Sequence, residues 1–316
     1  ASAIGAAPMK VAALWTYQAA LWTYQKERFP LAKTVPLLAV FSAASLCASA
    51  EMAGRPLPEA WAFVAAFMAA MMLFFQMRVC DEYKDLDDDR RYRPHRPIPR
   101  GLVSLRQIIA LGLASLPVTA LAVWLWHPPA LWLLALVWLW LAAMTAEFGV
   151  AAWLKARPLL YLVSHMAIMP LIDLLLTGIE WMPGGGAARG IWLFLALSFV
   201  NGCVLEIGRK LWAPQSELPG VETYSRLWGP RRAAIIWAAC TALSFGLLLG
   251  VGAVTGAFWI TLVLGGAGFA ACLWAARAYA ISPTPGAEKR MDTVAGLWVF
   301  ACYAIAGFVP VLIRVL

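Results

Sequence analysis

The chain has 316 residues, of which 62% are hydrophobic and only 13% charged, and its mean hydropathy is +0.74. A soluble domain carries roughly 25% charged residues, so this chain could not cover its own core in water, which excludes an ordinary soluble enzyme, a disordered protein and a fibre. What remains is an all-α membrane protein with several spans, and the net charge of +8 has to be placed before nucleic acid is considered.

The N-terminal arm, residues 1–33, repeats the heptad AALWTYQ at 12–18 and 19–25. A seven-residue period brings Trp15 and Trp22, and Tyr17 and Tyr24, near one helix face. An amphipathic helix lying on the cytoplasmic leaflet is the expectation. The first forty residues show no signal-peptide order of basic, apolar and small-residue regions.

Nine apolar runs of about 20 residues follow, making 34–316 the membrane domain. They are expected near 34–51, 58–80, 104–126, 129–151, 157–178, 190–210, 231–252, 254–279 and 292–315. Pro- and Gly-rich breaks such as Arg55-Pro56-Leu57-Pro58 and Met182-Pro183-Gly184-Gly185-Gly186 separate them. Of the 25 Lys and Arg, all but Arg55, Arg189 and Arg314 fall on the arm or on the connections after the even-numbered spans. That asymmetry predicts a cytoplasmic N-terminus and an external C-terminus, in an integral protein of a bacterial inner membrane. The positive charge is thus a topology signal with an attraction for anionic lipids or substrates, and no nucleic-acid partner is expected. The six cysteines are scattered, without a C-x-x-C pair, and read as small buried hydrophobes.

The connection after the second span holds six carboxylates in nine residues, from Asp81 to Asp89. Asp81, Asp85 and Asp89 recur at i, i+4 and i+8, so a continuing helix lines them on one face. Like charges at that spacing repel and Asp is a poor helix former, so packing gives no reason for them. Hard oxygen ligands on one face suit Mg²⁺, which bridges one or two carboxylates to substrate phosphates.

Glu147 is expected near the cytoplasmic end of the fourth span, where it could accept a proton or orient an acceptor. His165 and Asp173 fall inside the fifth, Asp173 toward its hydrated outer end, and intramembrane ionisable groups are functional suspects by default. Aromatic side chains in the spans (Trp138, Trp140, Phe148, Phe194, Phe199) could shield a cation. After the sixth span Glu206, Arg209, Lys210 and Glu217 form a second polar stretch. Cations beside carboxylates suit a diphosphate; a salt-bridged helix cap is the structural alternative. The two polar connections together outline a metal-held diphosphate at a pocket mouth with a long hydrocarbon behind it, an isoprenyl diphosphate.

This pattern resembles the UbiA superfamily of intramembrane prenyltransferases. The first family signature, Asn-x-x-x-Asp-x-x-x-Asp before an Arg-Pro-Leu-like turn and a glycine, is met by Asp81, Asp85 and Asp89, then Arg96-Pro97-Ile98 and Gly101. Asp81 stands where the family usually has Asn. Of the second signature, Asp-x-x-Tyr-Ala-x-x-Asp-x-x-x-Asp, Glu206 and Glu217 keep the outer spacing, Arg209 and Lys210 replace Tyr-Ala, and Ala213 replaces the middle Asp. The resemblance covers residues 26 to about 310. It implies a nine-helix bundle with a central cavity open to the cytoplasmic side, and a prenyl group transferred from the diphosphate to an aromatic or lipid acceptor. It further implies Mg²⁺ held by Asp81, Asp85 and Asp89 with Asp88 in support, Glu206 and Glu217 opposite, and diphosphate contacts from Lys84, Arg96, Arg209, Lys210 and Arg28. The altered second signature also admits a terpene cyclase of the same superfamily, which ionises the diphosphate without an external acceptor. A transporter or lipid carrier is disfavoured because no inverted repeat is visible.

Overall fold

The computed structural model describes residues 6–316, with side chains from Tyr17 onward. Residues 1–5 of the expected arm, and the side chain of Trp15 in the first heptad, lie outside the described residues. The helices in chain order are α1 (Ala6–Arg28), α2 (Leu31–Met52), α3 (Ala60–Lys84), α4 (Leu86–Tyr92), α5 (Leu105–Trp126), α6 (Leu131–Thr145), α7 (Ala151–Lys155), α8 (Pro158–Met166), α9 (Ile168–Trp181), α10 (Ile191–Gly208), α11 (Tyr224–Trp228), α12 (Pro230–Val254), α13 (Phe258–Ile281) and α14 (Pro285–Val315). Nine segments among the described residues are long and apolar enough to cross a membrane, α8 and α9 together forming the fifth. The expected spans are therefore all present, and this is an integral membrane protein.

Four boundaries differ from expectation, each for a local reason. α3 runs on to Lys84, and the backbone ladder continues through Asp85 into α4, with Asp85 N–H bonded to Asp81 O at 2.9 Å and Asp89 N–H to Asp85 O at 2.7 Å. Asp87, Asp88 and Asp89 occupy the first turn of α4, where the helix dipole favours carboxylates. The fourth span, expected to reach 151, stops at Thr145. Glu147, Phe148 and Gly149 then take φ of +48°, +53° and +74°, which only glycine adopts freely. The fifth span breaks at Ala167 because Pro170 has no N–H for the Met166 carbonyl. α14 starts seven residues before the expected 292, where the Thr284 hydroxyl caps Ala287 N–H and Pro285 opens the first turn.

α1 rests on the bundle by a stripe at i, i+4, i+8. Ala20 and Tyr24 are buried against Val79, Ile98 and Ile108, and Arg28 Nε donates to Glu82 Oε1 at 2.6 Å. Trp22, on another face, is 59% exposed and lies under the Lys26 ammonium.

Within the bundle α2 packs on α3, α9 and α14, and α10 packs on α9, α12 and α14. The approach of α2 to α14 is backbone to backbone, since a Cβ on Gly307 would stand 2.5 Å from the Ala44 Cα. One fully buried carboxylate joins these helices. Asp173 of α9 accepts from Ser45 of α2 at 2.6 Å and from Tyr303 of α14 at 2.6 Å; Ser198 of α10 lies 3.0 Å from the Tyr303 hydroxyl. Asp173 is thus a packed junction, and its expected hydration at the outer end does not occur.

A clasp closes the face opposite the acidic connection. Arg55 donates to Glu180 at 2.7 and 2.9 Å and to Gly186 O, while Ser49 donates to the same carboxylate. Arg314 pairs with Glu51 at 2.9 Å. Removing one partner of a buried pair strands the other charge. Arg55→Gln is therefore expected to lower stability by about 3 kcal/mol, read as an earlier unfolding midpoint in detergent, whereas Arg189→Gln on the same face should change little.

Candidate active site

The six carboxylates of the acidic connection face three ways. Glu82 and Asp89 turn inward and are consumed by arginines: Glu82 by Arg28, and Asp89 by Arg93 at 3.1 Å and Arg96 at 2.6 Å. Asp89 is only 2% exposed, so it buckles the Arg96-Pro97 turn onto α4. Burial holds the Arg96 guanidinium below its usual pKa, against the opposing pull of the Asp89 hydrogen bond. Beside Glu82, burial pushes the Tyr24 phenol well above the usual range. Asp87 and Asp88 point to solvent. Asp81 and Asp85 remain, one turn apart at the end of α3. Asp81 has a single 3.4 Å contact with Arg78, and Asp85 has no side-chain partner among the described residues.

The second polar stretch is committed largely to itself. Glu206 pairs with Arg209 at 2.7 Å and with Lys210 at 2.9 Å, a capped C-terminus for α10. The Glu206 charge, more than the field of Asp81, raises the Arg209 pKa above its usual value. Arg209 therefore feels carboxylates of both polar connections. Glu217 accepts from Thr223 at 2.7 and 2.8 Å and from Ser225 at 2.8 Å, all within its own loop. Ala213, at the position of the missing Asp, gives its N–H to Glu288 of α14 at 3.0 Å. Among the described residues no three His, Cys, Asp or Glu side chains converge as a metal site. Of the six expected metal ligands, then, Asp81 and Asp85 share one helix end, Asp88 is exposed, and Asp89, Glu206 and Glu217 have protein partners.

Of the five expected diphosphate contacts, Arg209 and Lys210 share Glu206, while Arg28 and Arg96 are paired with Glu82 and Asp89. Lys84 is drawn into a separate cluster below the acidic turn. Its ammonium is 2.8 Å from Glu147 Oε1, 3.2 Å from Tyr161 Oη, 3.1 Å from His165 Nε2 and 3.3 Å from Met144 O. The helix break at 147–149 is what swings Glu147 into this position. Tyr161 and His165, at i and i+4 on α8, stack with centroids 3.9 Å apart. Tyr161 carries no sequence signal beyond that spacing from His165.

A cavity of about 680 Å³ opens beside this cluster, between the α7–α8 junction and the 210–227 segment. Lys155, Tyr161, Lys210, Thr223, Tyr224 and Arg226 are on its wall. Tyr161 thus belongs to both the cavity and the buried cluster.

Nine membrane segments, an acid-rich turn ending the second, and a cationic loop after the sixth define a class of intramembrane proteins. The UbiA prenyltransferase family model matches residues 37–301, and the chain belongs to that family. Among solved structures, the apo structure of a UbiA homolog from Aeropyrum pernix K1 superposes with a TM-score of 0.67 at 17% identity, covering 88% of this chain and 98% of that one. A structure described for digeranylgeranylglyceryl phosphate synthase in membranes gives a TM-score of 0.59 at 14% identity, covering 91% and 99%. No protein with a curated description matches the sequence.

The sorting of the carboxylates can be checked by stability alone. Asp89→Asn strands two half-buried arginines and is expected to cost about 3 kcal/mol. Asp85→Asn removes no partner and should leave the unfolding midpoint within about 0.5 kcal/mol of wild type.

Proposed function

We propose that this protein is a Mg²⁺-dependent intramembrane prenyltransferase, ionising an isoprenyl diphosphate and passing the prenyl group to an aromatic or lipid acceptor. The observation that carries the reading is the Asp81–Asp85 pair at the end of α3, held by no more than the 3.4 Å contact of Asp81 with Arg78 and within the electrostatic reach of Arg209, in a chain of the UbiA family. Two hard carboxylates one turn apart fit Mg²⁺, which takes one or two such ligands and completes its shell with water and substrate phosphate. Asp81 and Asp85 would hold it, with exposed Asp88 free to join. Asp89, Glu206 and Glu217 would have to leave arginine, lysine or hydroxyl partners to do so. Bound there, the ion would offset the negative charge that builds on a departing diphosphate.

The chain's own part is electrostatic and steric. Arg209 and Lys210 bring positive charge to the mouth, and Arg96 and Arg28 fix the acidic turn through Asp89 and Glu82. Apolar side chains of the bundle keep water from the allylic cation, with Phe148 and Trp140 packed edge to face at 5.3 Å. The cavity wall, with two lysines, an arginine and two tyrosines, supports a second, polar-headed substrate and so favours transfer over cyclisation.

The test is turnover of geranyl, farnesyl and geranylgeranyl diphosphates by the purified protein, with Mg²⁺, with and without acceptor. Asp85→Ala is expected to lower turnover by at least about 100-fold with the unfolding midpoint retained; a near wild-type rate would sink the assignment. Cyclic hydrocarbon formed without acceptor would indicate the cyclase instead.

The protein is further proposed to sit in a bacterial inner membrane with its acidic connection in the cytoplasm, a reading supported by the distribution of basic residues. A tag after Leu316 is accordingly expected to react with an impermeant reagent on intact cells. Labelling confined to lysed cells would reverse the orientation.

A further inference from the structure

The buried cluster beneath the acidic turn has a feature that packing does not require. Glu147 is 7% exposed, and its Oε2 is a buried atom with no hydrogen-bond donor. Oε1 takes both available donors, the Lys84 ammonium at 2.8 Å and the Tyr161 hydroxyl at 3.2 Å. A buried acceptor left open is costly to folding. The backbone that carries it is strained as well, because Glu147 and Phe148 both sit in the left-handed region, where a Cβ crowds the following carbonyl. Strain and an open acceptor in the same residue mark a group held for a purpose.

The neighbouring histidine shows what the open atom lacks. His165 Nδ1 lies 2.9 Å from Tyr161 O, and a carbonyl can only accept, so the imidazole proton is on Nδ1. Nε2 is then a lone pair, taking a hydrogen bond from Lys84 at 3.1 Å. It also faces Glu147 Oε2 at 3.5 Å, lone pair against lone pair. One proton on Oε2 would make that contact a hydrogen bond, taking over the Nε2 lone pair and leaving the three Lys84 hydrogens for Glu147 Oε1, Tyr161 Oη and Met144 O. The cluster has a place for one more proton than it holds. Other charged or titratable groups close to it are Asp81 and Asp85 of α3 and Glu206 of α10.

The route to this place is already built. Tyr161 is on the wall of the 680 Å³ cavity and donates to Glu147 Oε1, so a substrate in the cavity reaches the carboxylate through one hydroxyl, and a half-turn of the carboxyl group then carries the proton to the side facing His165. We propose that Glu147, backed by His165 and reached through Tyr161, takes the proton of a hydroxyl-bearing acceptor seated in this cavity as the acceptor is prenylated. The inference rests on the prenyltransferase reading and adds the class of acceptor. In the step, the allylic C–O bond breaks and both electrons leave with the diphosphate. A lone pair of the acceptor hydroxyl forms the new C–O bond. Its proton passes to the Tyr161 oxygen while the Tyr161 proton passes to Glu147. An ether, diphosphate and one protein-bound proton are the products, and water later removes that proton. Tyr161 is the catalytic group in contact with the acceptor, and Glu147 and His165 act through it.

The test uses the full chain in lipid nanodiscs with Mg²⁺, geranylgeranyl diphosphate, and two hydroxyl probes, a simple phenol and an alkylglycerol. Exchange of the bridging oxygen of the diphosphate, followed with ¹⁸O, reads bond cleavage separately from transfer. Glu147→Gln is expected to lower kcat for probe prenylation about 100-fold, with KM for the diphosphate changed less than about twofold. The wild-type solvent deuterium effect should be lost with it, and Glu147→Asp should restore part of the rate. Tyr161→Phe, which keeps the Lys84–Glu147 ion pair and so guards against a folding defect, is expected to reproduce most of the loss. Prenylation by Glu147→Gln or Tyr161→Phe within about threefold of wild type overturns the inference, as does a loss confined to KM. Oxygen exchange by the wild type without prenylation of either probe overturns the acceptor class while cleavage stands. Absence in the wild type of both exchange and prenylation overturns the prenyltransferase reading and this inference with it.

Discussion

Asp173 is a carboxylate with no water to turn to. It lies fully buried where α2, α9, α10 and α14 meet, and hydroxyls from Ser45 and Tyr303 take the place of solvent. In an apolar medium between helices, packing and a few such bonds do what the hydrophobic effect does in water. The junction therefore sets the azimuth of four helices at once. Because α9 continues from α8 and Glu206 lies in the last turn of α10, the positions of Tyr161, His165, Glu206 and Arg209 all follow from it. The loop-side chemistry is only as well placed as this knot.

Charge elsewhere obeys the same rule, and the rule sorts the site. A carboxylate that faces inward needs a cation or hydroxyl, and Glu82, Asp89, Glu180 and Glu206 each have one. Their arginines join distant pieces of chain, so Arg28 ties α1 to α3 and Arg55 ties α2 to α9. Asp81 and Asp85, at the end of α3, keep oxygens free for something from outside, Asp81 with no more than its 3.4 Å contact to Arg78. Structural and chemical carboxylates thus alternate along one short stretch of α3 and α4, and the helical repeat decides which is which.

How much of this the sequence discloses depends on the range of the interaction. Span number and the acid-rich turn are local properties of composition, and they are legible. The Asp81–Asp85 spacing is legible for the same reason. One partner of Asp89 lies seven residues away beside a proline turn, and the partners of Glu217 are hydroxyls of its own loop, so six equal-looking candidate ligands cannot be told apart from the string. The break at Glu147 is hidden more deeply. Its glycine, Gly149, is a weak stop signal, and nothing in Glu-Phe announces left-handed backbone in two non-glycine residues. Tyr161 is invisible because tyrosine in an apolar span is ordinary; only the fold sets it against Lys84. Asp173 is conspicuous in the string, and the fold sets it in a knot of hydroxyls that no spacing announces.

The two ends of the protein differ in one further respect, dielectric shielding. Arg55 and Glu180 close their end with side chains 21% and 3% exposed, largely out of reach of dissolved ions. At the other end Arg90–Asp87 and Arg100–Glu27 have side-chain exposures of 63% and 96%, and of 36% and 39%, so counterions compete with them directly. Exposed pairs weaken as the screening length shrinks with added salt, and buried ones barely respond. Ionic strength therefore acts unevenly, competing with Arg90–Asp87 and Arg100–Glu27 while the buried Arg28–Glu82 pair keeps α1 on α3 and Arg55–Glu180 keeps the opposite rim shut.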